Sequence, residues 1–109
     1  MTAVDAFADL ARAAATASTL SELGTLLRQL RRRHGRSCPG GPLTYRELAV
    51  KLGSSHGIIG EYLVGNVLPP VDRLDALVII LGGTLAERRV LADLRDGIEE
   101  ARRRVRSAV

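Results

Sequence analysis

The sequence predicts an all-α protein of six helices joined by short turns. Apolar residues recur at three- and four-residue spacing along most of the chain, and no stretch sustains the two-residue alternation of a strand. Capping residues followed by Gly or Pro stops divide the chain repeatedly. With 46% apolar but only 3% aromatic residues, the core must be built from Leu, Val, Ile and Ala. Its 109 residues suffice for one domain with a helix added at either end.

The first helix is expected over residues 3–17, opened by a capping box of Thr2 and Asp5. Its apolar stripe (Val4, Phe7, Ala8, Ala11, Ala14, Ala15) is thin and needs a partner surface. A second helix spans about 20–34, with Leu20, Leu23, Leu27 and Leu30 on a buried face and Arg28, Arg32 and Arg36 opposite. The two prolines and three glycines of GRSCPGGPL make a loop. Thr44 and Glu47 then cap a short helix with Leu48, Ala49 and Leu52 inward, ending at Gly53. Ser54 and Ser55 offer the next N-cap, for a helix ending near Gly65. Pro69 and Pro70 delay the fifth helix to about Val71. That helix carries Leu74, Leu77, Val78 and Leu81 and stops at Gly82-Gly83. Thr84 and Glu87 cap a last long helix reaching about Ser107. The expected divisions are an N-terminal helix over 1–18, a central domain over 19–83, and the long helix over 84–109.

The net charge of +4 is unevenly spread: −1 over residues 1–18, +4 over 19–36, −1 over 37–83 and +2 over 84–109. Positive charge therefore flanks the middle segment, a distribution that permits a nucleic-acid partner without establishing one. No apolar run approaches the ~18 residues of a membrane span, and the acidic opening MTAVDAFADL does not read as a signal peptide. The single cysteine, Cys38, has no internal partner and suits a reducing compartment, so a cytoplasmic location is expected. His34, Cys38 and His56 are too few for a structural zinc site. No nucleophile–base pair or phosphate-cradling loop is indicated, so neither an enzyme nor a cofactor is expected.

The informative stretch is TYRELAVKLGSSHGIIGEYLVGNVLPP. Two short helices crossing steeply need a small residue where they touch, which Ala49 supplies. The turn between them needs a residue tolerant of positive φ, which is Gly53. Ile59 and Tyr62 stand at the offsets that bury the second helix on the first. Together with Thr44, Glu47, Leu48, Leu52, Gly65, Leu68 and Pro69, these residues resemble the lambda-repressor/Cro (XRE-like) helix-turn-helix family, in the style of small actinobacterial regulators. LGTLLRQLRRRHG is similar to that family's first helix and VDRLDALVIILGG to the helix after the Pro-rich turn, so the resemblance covers about residues 22–83.

The resemblance implies a five-helix DNA-binding domain, usually dimeric, whose second short helix enters the major groove of double-stranded DNA. By position, the base-facing residues are Ser55, His56, Gly57, Gly60 and Glu61, with Val64 at the far end. Arg28, Arg32, Tyr45, Arg46 and Lys51 are expected at phosphates. The face departs from the usual base-reading chemistry of Arg, Lys, Asn and Gln, because it offers two glycines, a His, a Ser and an acid.

The last helix repeats Leu91, Leu94, Ile98, Ala101 and Val105 at alternating three- and four-residue steps, the pattern of a packing seam. This seam, with Ile79 and Ile80, is the expected homodimer interface; packing onto the chain's own core is the alternative. The arginines of RRRVRS read as a solvated helix end. The expected function is a DNA-binding transcriptional regulator acting as a homodimer. The alternative is a helix-turn-helix module that has kept the fold but binds a protein, signalled by the sparse Gly57, Gly60 and Glu61 face and by apolar Ile58, Val64, Ile79 and Ile80.

Overall fold

A computed structural model describes residues 3–108, with residues 3–8 described for their backbone alone. The chain forms α1 (Ala3–Thr16), α2 (Leu20–Arg36), α3 (Tyr45–Leu52), α4 (His56–Val64), α5 (Val71–Ile80) and α6 (Leu85–Ser107), with no strand among the described residues. The expected Thr2–Asp5 capping box and the Val4, Phe7 and Ala8 side chains lie outside what is described.

Local chemistry sets the boundaries. Thr44 and Thr84 each accept from the backbone N–H three residues on, and the carboxylates of Glu47 and Glu87 accept from the capping residues' own N–H. Thr19 and Glu22 form a third such box at the start of α2. Its T-x-x-E signature, Thr19 to Glu22, stands in the sequence as an additional start signal not included in the expectations above. Gly53 and Gly65 end α3 and α4 with φ of 66° and 80°, values that suit glycine.

α2 runs through the middle of the fold and touches α1, α4 and α6. Its Leu23, Leu26, Leu27 and Leu30 meet Leu48 and Ala49 of α3, Ile59, Tyr62 and Leu63 of α4, and Leu74, Leu77 and Val78 of α5 in a single core. Each fully buried leucine contributes roughly 2 kcal/mol by leaving water. The α1 stripe is shifted from the expected one: Leu10 and Ala14 enter the core, Ala11 is half-buried and Ala15 is exposed.

The seam of α6 divides in two. Leu91, Leu94 and Ile98 are buried within this chain, where α1 packs along α6, whereas Ala101 and Val105 are exposed. Within one chain the first three therefore serve the core. The long helix has room for both uses, since 23 residues span about 35 Å. Ile80 likewise packs against the core, which leaves Ile79 as the exposed isoleucine of α5.

Candidate nucleic-acid interface

The α3–turn–α4 unit is built from backbone caps. Gly53 donates to the Val50 carbonyl (3.3 Å) and Ser54 to that of Ala49 (2.9 Å), closing α3. Two residues later the Ser55 hydroxyl accepts from the Ile58 N–H at 3.2 Å and opens α4. Asn66 donates to Glu61 and Gly65 to Tyr62 in the same pattern at the far end. Ile59, Tyr62 and Leu63 are buried, and that side of α4 is fixed against α2 and α3.

The opposite side of α4 faces outward. Ser55, His56, Gly57, Glu61 and Val64 are exposed, and a β carbon on Gly57 would meet nothing within 4 Å. Gly60 is half-buried. A β carbon there would lie 3.6 Å from the Tyr45 ring, so Gly60 belongs partly to the α3–α4 junction. Ile58 is also half-buried and packs on the core.

Tyr45 is held by its neighbours. The Arg31 guanidinium stands 5.2 Å from the Tyr45 ring centroid, and the Arg31 Nε donates to the Leu43 carbonyl at 2.8 Å. This cation–π contact fixes the aromatic at the start of α3.

The arginines fall into two groups. Arg28 does not stand on the solvent side of α2, as its spacing with Arg32 and Arg36 suggested. It is half-buried, donating to the Leu63 carbonyl at the end of α4 and to the Thr25 hydroxyl (3.1 Å). Arg73 similarly donates to the Leu52 carbonyl at the end of α3, and the buried Arg95 Nε to the Pro69 carbonyl at 2.9 Å. The Leu63 and Leu52 carbonyls, at helix C-termini, lack intrahelical donors and sit at the negative end of the helix dipole, so a guanidinium satisfies both needs. Pro69 lies in the connection before α5. Arg32, Arg36 and Arg46 are exposed and have no bonded partner among the described residues.

Lys51 is exposed too, and its charge helps to hold the Glu47 carboxyl below the usual range. The Thr44 backbone N–H and hydroxyl are the larger causes of that shift. On α2 and α3 the cations left for an external anion are thus Arg32, Arg36, Arg46 and Lys51.

A buried ion pair ties α2 to α6. Arg33 meets Glu87 with two 2.7 Å hydrogen bonds, and Glu87 is fully buried. The same carboxylate accepts the Thr84 N–H at 2.8 Å. Burial alone would raise the Glu87 pKa, but Arg33 and Thr84 together outweigh it and hold the carboxyl below its ordinary value. The Thr84–Glu87 box is visible in the sequence because its partners are three residues apart; the distant Arg33 leaves no local signal.

The His34 ring and the Cys38 sulfur approach to 3.5 Å at the end of α2, with His56 away on α4. Among the described residues no group of three His, Cys, Asp or Glu side chains is placed to hold a metal ion. No described helix is long and apolar enough to cross a membrane.

Capped short helices, a glycine turn and an outward second helix together define a helix-turn-helix domain. The chain belongs to the family described as helix-turn-helix domain, whose model matches residues 22–91. That span takes in α2 through α5 and the first turns of α6, leaving α1 and the end of α6 outside it. Comparison with curated proteins and with solved structures gives no match.

Proposed function

We propose that the protein is a DNA-binding transcriptional regulator of the XRE-like type that lays α4 in the major groove. The outward face of α4 carries this reading. Ser55, His56, Gly57 and Glu61 are exposed on a helix whose other side is locked into the core. Unpaired Arg32 and Arg46, with Lys51, would contact phosphates, and Tyr45 would meet the backbone from the start of α3. Arg28, already engaged by Leu63 and Thr25, has less left to offer. Exposed His56 would donate to a base edge, and Glu61 would accept from a cytosine amino group. Gly57, open on the outer face, would let the helix backbone approach the duplex closely.

Subunits would pair through the exposed apolar residues that flank the α5–α6 turn, Ile79 (50% exposed) and Leu85 (55%). Leu91, Leu94 and Ile98 would stay within each subunit. To read two half-sites, such a homodimer would have to hold its two α4 helices about one DNA turn apart.

A protein-binding reading has its own support. Val64 at the end of α4 is 47% exposed and Val50 on α3 is 82% exposed. Selection of bound fragments from a random duplex library distinguishes the two. An enriched palindrome supports the regulator, and retention of no duplex at moderate salt removes it.

A further inference from the structure

We propose that the cleft between the end of α6 and the start of α2 is a docking site for an acidic, amphipathic helix of another protein. The cleft is an open groove of about 530 Å³ whose floor is apolar, with Leu20, Ile98, Ala101 and Val105 along it. Val105 is 68% exposed.

Charge decides the occupant. On this stretch of α6, Arg103 and Arg104 are each turned to an acid one turn back, Glu99 at 3.4 Å and Glu100 at 3.5 Å. Arg102 and Arg106 line the groove and have no bonded partner among the described residues. They stand one helical turn apart, so their guanidiniums match carboxylates repeated at the same interval on a facing helix. A second copy fits poorly, because two antiparallel α6 ends would bring four unpaired guanidiniums together. A nucleic acid would satisfy the cations but leave the apolar floor uncovered. An acidic helix with an apolar stripe satisfies both.

The test uses the full chain, isotopically labelled, and a short helical peptide with Leu and Ala along one stripe and Glu on both flanks. The expected result is saturable binding that shifts the amides of Leu20 and Ile98–Arg106. Paired Arg102→Gln and Arg106→Gln changes should weaken binding about tenfold. The same change at Arg103 and Arg104 should leave it within about twofold.

Equal binding of a peptide with Gln in place of Glu would overturn the charge assignment. Absence of binding, or shifts confined to another face, would overturn the site. So would a random-sequence duplex that binds the same residues as tightly as the acidic peptide. Sedimentation showing a dimer that Val105→Asp dissolves would reassign the groove to self-association.

Discussion

A β carbon on Gly24 would stand 2.6 Å from the Gly65 amide nitrogen and 2.8 Å from its α carbon, so α2 and the end of α4 meet as bare backbone. The approach is reciprocal, since a β carbon on Gly65 would lie 2.9 Å from the Leu20 carbonyl oxygen. Neither neighbour is the far end of a flexible side chain, so the helices themselves would have to separate. Gly24→Ala should therefore destabilise the fold by about 2 kcal/mol, despite the better helix propensity of alanine. Gly65→Ala should do at least as much, because its φ of 80° adds strain. Urea denaturation measures both. A Gly24→Ala protein as stable as the parent would contradict this packing.

The Glu87 carboxylate serves two partners at once, the Thr84 N–H and the Arg33 guanidinium. Removing its charge weakens both short hydrogen bonds of a buried ion pair, so Glu87→Gln should cost roughly 3 kcal/mol. Because its folded-state pKa is lowered, the carboxylate stabilises the fold fully above the ordinary glutamate value of about 4.3. That stability fades as pH falls through the lower folded value. Asp75, lowered by Arg88, and Glu99, lowered by Arg95, add to the same acid-side slope. Thermal melts from neutral pH down to pH ~3 should show a shallower decline for Glu87→Gln than for the parent. Parallel curves would remove Glu87 from the acid response.

Arg28 and Arg32 should separate under mutation. Arg28→Ala leaves the Leu63 carbonyl without its charged donor and should lower stability by about 1.5 kcal/mol. Arg32→Ala, on an exposed side chain, should leave stability within about 0.5 kcal/mol. In DNA binding, Arg32→Ala and Arg46→Ala should each weaken all duplexes alike and reduce the salt slope by about one. His56→Ala and Glu61→Gln should instead change which sequences are preferred. The measurements are chemical denaturation and salt titrations of fluorescence anisotropy. Unchanged salt slopes would dismiss these arginines as phosphate contacts.

Gly57 lies in open space on the outer face of α4. With no steric objection, Gly57→Ala should stabilise the fold by about 0.5–1 kcal/mol through helix propensity. If the glycine exists to let the backbone approach a duplex, the same variant should bind its selected DNA at least about tenfold more weakly while melting at a higher temperature. Gain of stability with unchanged binding would mean that Gly57 has no such role at the groove.

Much of this fold is legible in the sequence because helix boundaries are local. Thr44 with Glu47, Ser55, Gly53, Gly65, Pro70 and Thr84 with Glu87 each set an end through neighbours a few residues away. The inward side of α4 was legible in Ile59 and Tyr62. Its outward residues came from the family resemblance, and of these Gly60 is half-buried against Tyr45. The uses of the arginines were less legible, since a guanidinium reaches across elements. Arg28 and Arg32 are a turn apart on one helix, and only the position of Leu63 makes the first structural.

The sequence alone thus determined six helices, the ends of α3 to α6 and the turn that joins α3 to α4, all of which follow from side chains acting on their own stretch of backbone. α2 runs on to Arg36, two residues past its expected end. The tertiary structure decided what each helix face touches. It gave Leu91, Leu94 and Ile98 to the chain's own core, paired Arg33 with Glu87, and left Arg102 and Arg106 open beside an apolar groove. Those outcomes depend on which distant surfaces meet, and burial and charge pairing act only after they have met.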